Sequence, residues 1–244
     1  REAAGMLSVD GLRLRRGGFA LEADLEVPGG AICALLGPSG GGKSTLLDVI
    51  AGFLSPEIGR VSVDGRDIGA EPPAARPVTL VFQENNLFPH LTVAQNVGLG
   101  LRPALRLTEG ERRRVAEALE ETGLAGLGDR APESLSGGQR SRAALARALA
   151  RDRPVLLLDE PFAALGPGLR AEMVELVRRT MRPRGAAVLM VTHAPEDARA
   201  AADLSAFCAA GRIDGARRTS ALFEDPPPAL RAYLGDRQTS ALTR

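Results

Sequence analysis

The residues best suited to chemistry stand together at positions 37 to 45, which read Gly-Pro-Ser-Gly-Gly-Gly-Lys-Ser-Thr. Gly37, Pro38, Ser39, Gly40, Gly41 and Gly42 lead into Lys43, Ser44 and Thr45 and fit the phosphate-binding pattern G-x-x-x-x-G-K-[ST]. Glycines let a backbone wrap round an oxyanion without Cβ clashes. Amides at the helix N-terminus that follows point at the anion, with the helix dipole behind them. Lys43 is placed to reach the β- and γ-phosphates of a nucleotide and Ser44 to ligate Mg²⁺, with Thr45 beside it. Lys43 is also the only lysine among 31 basic residues, so a compact ammonium is used at this one position and Arg everywhere else. The glycine spacing does not match the dinucleotide-binding G-x-G-x-x-G.

Residues 155 to 160, Val-Leu-Leu-Leu-Asp-Glu, are an apolar strand ending in two acids. At the C-terminal end of a strand in an open α/β sheet, Asp159 can hold Mg²⁺ beside the phosphate loop. Glu160, one residue on, can accept the proton of an attacking water. A third constellation, Leu135-Ser136-Gly137-Gly138-Gln139, is a second Gly-rich helix start carrying a hydroxyl. One nucleotide does not need two cradles so far apart in one chain; two chains sandwiching nucleotide between them do.

These residues need a sheet with helices on its faces. Residues 7 to 27 alternate as two short antiparallel strands turning at Gly17-Gly18. Residues 31 to 36 are a continuous apolar run, as in a strand buried on both faces, with a helix from Lys43 to about Ala51 after the loop. Further strands are expected at 61–63, 78–82, 155–159 and 186–192, and helices at 141–151, 169–181 and 195–202. Thr108 and Glu111 have capping-box spacing before a charged helix that Gly123 stops. A proline break and a short helix end the chain. The reading is α/β: a phosphate-loop core with a mainly parallel sheet, an N-terminal antiparallel β-subdomain and an inserted helical subdomain. One domain over 6–234 is expected, with 6–82 and 152–234 as core and 83–151 as the helical insert.

The 244 residues, 44% hydrophobic and 25% charged, suit one large soluble domain. A net charge of +1 provides no field for nucleic acid. No apolar run approaches the ~20 residues of a membrane span. Cys33 and Cys208 form no metal motif or disulfide framework and read as buried thiols. No secretory signal precedes Met6, and Arg1 to Gly5 read as a short extension.

The phosphate loop, LSGGQ and LLLDEP in this order resemble the ATP-binding cassette ATPases across about Met6 to Leu234. The resemblance implies ATP hydrolysis with Mg²⁺. It makes Gln83 the glutamine that senses Mg²⁺ and links to a membrane subunit, and His193, in LMVTHAPEDA, the histidine that contacts the γ-phosphate. It implies a head-to-tail homodimer on ATP, with Lys43 of one chain facing Ser136, Gly137, Gly138 and Gln139 of the other. It further implies an integral membrane permease docked near residues 83–99, a periplasmic solute-binding protein acting indirectly, and a peripheral place on the cytoplasmic face of a bacterial inner membrane. Within the family, residues 72–101, FQENNLF above all, are similar to ATPases that drive thiamine import. There Asn85 and Asn86, flanked by Leu87 and Phe88, are candidates for permease recognition. His90 matches nothing in the family and reads as a loop residue.

Two departures stand out. Gly166, in Ala163-Ala164-Leu165-Gly166, replaces an aspartate usual in the family; the missing carboxylate is either catalytic or only a helix cap. No aromatic lies between Leu14 and Gly18, where the family stacks adenine; Phe19 is nearest, and Arg15 or Arg16 could stack instead. Alternatives are an importer ATPase for another solute, such as iron or polyamine, a non-hydrolysing regulatory cassette, and a soluble cassette of repair or translation. The last needs tandem cassettes, a coiled-coil insert or a basic patch, and none is visible. A guanine-binding NKxD motif is impossible with one lysine at position 43.

Overall fold

The computed structural model describes residues 5–83 and 86–241, so Asn85 and residues 1–4 lie outside it. At its centre is a parallel array built from the apolar runs. Strands β1 (Leu7–Arg16) and β2 (Phe19–Val27) form the N-terminal hairpin, with Arg16 opposite Phe19 across the glycine turn. The third strand, β3 (Ile32–Leu36), runs into the phosphate loop and helix α1 (Lys43–Ala51). Next come β4 (Ile58–Val63), β5 (Arg66–Asp67) and β6 (Val78–Val81). Helices α2 (Val93–Gly98), α3 (Glu109–Glu121) and α4 (Gly137–Arg151) follow before β7 (Val155–Asp159). The remaining elements are α5 (Pro167–Met181), β8 (Ala187–Val191), α6 (Pro195–Ala201), β9 (Leu204–Ala209), β10 (Arg212–Asp214), β11 (Arg217–Arg218), α7 (Thr219–Glu224) and α8 (Pro228–Ala241).

The strand order is β5-β4-β1-β2-β10-β9-β3-β8-β7-β6, with β11 paired to β9. From β9 to β6 every neighbour is parallel. The antiparallel strands at the other end belong to the same sheet. The join is β9 to β10 to β2, which the sequence reading lacked. That segment carries Ser205 and two alanines and shows no strong apolar alternation.

The apolar runs are continuous because both sheet faces are covered. In β3, Ile32, Ala34 and Leu36 face one core with α4, α5 and α6, whereas Cys33 and Leu35 face another with α1, β1 and β2. In β7, Leu156 and Leu158 alternate in the same way with Val155 and Leu157. Each fully buried large side chain contributes about 1.5–3 kcal/mol relative to exposure, so these strands fix the register of everything attached to their ends.

Arg76, only 2% exposed, anchors the C-terminus of α1: it donates to the carbonyls of Val49 and Ile50 there and to Gly69 and Glu71 on its own loop. Several boundaries differ from the sequence reading. Helix α4 starts at Gly137, not Ser141, because Ser136 and Gln139 close a capping box. Helix α2, unanticipated, is started by the same device at Thr92 and Gln95. Helix α8 is longer than the short helix expected. Among the described residues no helix is long and apolar enough to cross a membrane.

Candidate active site

Strand β3 ends at Leu36, and the chain then turns under the phosphate loop. Gly37 has φ 150°, and a Cβ there would lie 2.2 Å from the Cys208 carbonyl oxygen, so only glycine lets the loop sit on the end of β9. From below, the Cys208 thiol donates to Gly41 O at 2.9 Å and Gly211 N–H donates to the same oxygen at 3.1 Å. Burial pushes that thiol up to about 11, and burial pushes Cys33 up to about 12; both are neutral packing groups.

Gly42, the N-cap of α1, has φ 110°, and a Cβ there would lie 2.8 Å from the ring of Phe19. Lys43 is 4% exposed, and its ammonium donates to Gly37 O at 2.9 Å and Pro38 O at 2.8 Å. The charge is thus folded back into its own loop, next to the place where an oxyanion would sit. Ser44, Thr45, Ser39, Gly40 and Glu160 line an open cavity of about 350 Å³ with Lys43, Gly42 and Phe19. Of the three residues weighed for stacking a base, Phe19 lies on this cavity; Arg15 and Arg16 do not line it.

Pairing of β7 with β8 and β8 with β3 brings the acids to the loop. Ser44 Oγ donates to Asp159 Oδ1 at 3.2 Å. Burial raises the Asp159 carboxyl above the usual carboxylate range, a shift opposed by the Ser44 hydrogen bond and assisted by Glu160 and Asp48. A hydroxyl and a carboxylate side by side are hard oxygen donors of the kind Mg²⁺ takes when phosphates and water complete the shell. No group of three or more His, Cys, Asp or Glu capable of holding a metal occurs among the described residues, so a bare protein site is not built here.

Glu160 sits just past the end of β7 in the left-handed region, φ 44°, with its N–H bonded to Val191 O at 3.1 Å. A glutamate in this conformation is held by its surroundings, here the neighbouring strand, and its side chain swings towards β8. There Oε2 pairs with His193 Nδ1 at 3.0 Å. The loop carrying His193 is held by buried Thr192, which bonds Asp197 Oδ2 at 3.0 Å and accepts from Ala194 N–H at 3.0 Å. Arg170 meets the other oxygen of Asp197 at 3.4 Å.

The other candidates lie elsewhere. Ser136 and Gln139 bond each other's backbone at 2.9 and 3.2 Å at the start of α4, and neither they nor Gly137 and Gly138 line the cavity. Gln83 is exposed in the turn after β6 and does not line it either. Asn86 is exposed, its carbonyl accepting from Arg147 at 2.9 Å. Asn96 is fully buried and staples its loop, bonding Phe88 N–H at 2.7 Å and the carbonyls of Phe88, Leu91 and Thr92. His90 lies in that loop against Phe88. The sequence reading missed the support from Cys208 and Gly211 and the Thr192–Asp197–Arg170 network. The Ala210-Gly211 turn was the available signal for the first, and nothing marked the second.

Comparison with known proteins bears on this arrangement. The family profile described as ABC transporter matches residues 21–163. The chain is 60% identical over 230 residues to the thiamine import ATP-binding protein ThiQ of Cereibacter sphaeroides, covering 94% of this chain and all (100%) of that one. It is 51% identical to the protein of the same name from Brucella suis, covering 96% and 98% of the two chains. Among solved structures it superposes on the ADP conformation of MJ1267, an ATP-binding cassette of an ABC transporter, with TM-score 0.85 and 26% identity over 94% of this chain and 98% of that one. A nucleotide-free ATP-binding cassette from an ABC transporter matches with TM-score 0.81 and 26% identity, covering 91% and 96%.

Proposed function

The chain belongs to the ABC transporter family, and on that premise we propose that it is the ATP-hydrolysing subunit of a bacterial importer for thiamine. The observation that carries the reading is the single edge of sheet where Lys43, Ser44, Asp159, Glu160 and His193 converge, in a chain 60% identical to a thiamine import ATP-binding protein. We place the cassette at 6–234, with 6–82 and 152–234 as its core and 83–151 as the helical arm.

In the proposed reaction, phosphate oxygens take the place of the Gly37 and Pro38 carbonyls at the Lys43 ammonium. The loop amides from Gly40 to Thr45 surround the β-phosphate. Ser44 and Asp159 would hold Mg²⁺, which when bound neutralises phosphate charge. Glu160 takes the proton of the water that attacks the γ-phosphorus while the bridging oxygen leaves with ADP, and His193, tied to Glu160, contacts the γ-phosphate. Phe19 is the apolar platform nearest the base. The second cradle, Ser136 to Gln139, lies away from this cavity. It therefore serves the nucleotide of a second copy, in a head-to-tail homodimer formed on ATP.

Permease docking is assigned to the surface next to Gln83. A cavity of about 490 Å³ opens there, with Phe53, Val78, Leu80, Phe82 and Leu99 on its walls. Phe53 and Phe82 are both exposed and line this one groove, and clustered exposed apolar groups mark interaction surfaces. Arg151 and Arg153 border the same cavity, and burial, with repulsion from Arg153, lowers the Arg151 pKa. A membrane subunit whose cytoplasmic helix presents apolar side chains fills such a groove, and this docking holds the chain at the inner membrane. A periplasmic binding protein would deliver solute on the far side.

Glu160→Gln keeps the shape of the proposed base and removes its function. Phosphate release should fall by roughly 10²–10⁴-fold while ATP binding persists. Light scattering should show the variant dimerising with ATP. A variant that retains most of its turnover places the base elsewhere.

A further inference from the structure

The chain has a single tyrosine, Tyr233, far from every motif discussed above. It lies on α8, which is anchored by fully buried Leu230. Its ring packs against Phe207 of β9, centroids 5.5 Å apart. Its hydroxyl donates to the backbone carbonyl of His193 at 2.6 Å. That is a short O–H···O bond, reaching across 40 residues of sequence to the one peptide that carries the histidine paired with Glu160.

The rest of the His193 loop is held from its other side. Thr192 and Asp197 fix the peptide nitrogen of Ala194 through the Thr192 hydroxyl. Tyr233 fixes the carbonyl of the intervening residue, so the peptide between His193 and Ala194 is gripped at both of its polar atoms. A peptide held in this way leaves the His193 ring only its own side-chain torsions to move about. The ring is accordingly pre-aimed at Glu160, and such pre-orientation sets how often the catalytic group is in place.

We propose that Tyr233 is a positioning residue for hydrolysis, acting through the His193 carbonyl and tying the C-terminal helix to the catalytic loop. The inference rests on the reading of His193 as a participant in turnover. It assigns no contact between Tyr233 and ATP.

Tyr233→Phe removes one oxygen and keeps the ring against Phe207. Turnover should fall roughly 3- to 10-fold, the size expected from losing one hydrogen bond that orients a catalytic loop, with KM for ATP unchanged. A fall in both kcat and kcat/KM by the same factor is therefore expected. A cycle with His193→Ala, measured by single-turnover hydrolysis, separates positioning from packing. If Tyr233 acts through His193, Tyr233→Phe has no further effect in the His193→Ala background. Unchanged turnover in the single variant, or factors that multiply in the double variant, overturns the proposal. If His193→Ala itself leaves turnover intact, the reading of His193 fails first and the Tyr233 proposal with it. If His193→Ala is slow and Tyr233→Phe is not, only the Tyr233 proposal fails.

Discussion

Asp159 has the most informative electrostatics at the scale of single residues. Its carboxyl is raised by burial beside Ser44 and near Glu160 and Asp48. A carboxyl whose folded value is raised favours the folded state when protonated. That contribution is fully present below the ordinary Asp value and is lost as pH rises through the raised value. Above the raised value the carboxylate weakens the fold of the protein without nucleotide. Asp159→Asn should raise the melting temperature by roughly 1–2 °C near pH 7 and abolish the difference between the two proteins at acid pH. The same change should eliminate Mg²⁺-dependent hydrolysis. A lower melting temperature at neutral pH contradicts this account. Lys43 was marked by a sequence pattern, but only the fold reveals that its ammonium rests on the carbonyls of Gly37 and Pro38.

The elements explain what could be read in advance and what could not. Strands β3, β7 and β8 announce themselves because burial on both faces makes them apolar up to the acid Asp159 that ends β7, and α3 because Thr108 and Glu111 bond each other's backbone at its start. Strand β9 hides because its register is set by pairing to β3 rather than by its own alternation, so Cys208 was legible as a buried thiol but not as the floor of the phosphate loop. The Glu160–His193 pair and the Tyr233 bond join residues 33 and 40 positions apart, distances at which local pattern carries no information. Gly166, whose missing carboxylate is either catalytic or only a helix cap, belongs to this scale. It is the N-cap of α5, extended at φ −66° and ψ 162°, with no side-chain cap and open space where a Cβ would stand. Gly166→Asp should supply the missing cap, stabilise by a few tenths of a kcal/mol and leave turnover unchanged. A rise in turnover in a phosphate-release assay would assign the absent carboxylate a catalytic role.

The whole molecule is arranged as one sheet with chemistry on one edge and an apolar groove at another. The phosphate loop, Asp159, Glu160 and His193 follow from where β3, β7 and β8 end, and the groove of Phe53 and Phe82 follows from where α1 and β6 end. Strand β6 pairs directly with β7, so the groove and the acids are connected through one rigid pair of strands. In the proposed complex a permease helix moving in the groove would pull on the strand next to Asp159, and ATP bound at the edge would push back. Coupling of this proposed kind would make hydrolysis and transport one process, and it leads to a sharp requirement. The solute should enter the cell only when Glu160 is intact. The direct measurement is uptake of labelled thiamine by bacteria that can neither make thiamine nor import it by another route, carrying the permease and binding protein with either the wild-type chain or Glu160→Gln. Uptake with the wild-type chain and none with Glu160→Gln is the expected result; no thiamine uptake with the wild-type chain, or equal uptake with both, contradicts the account.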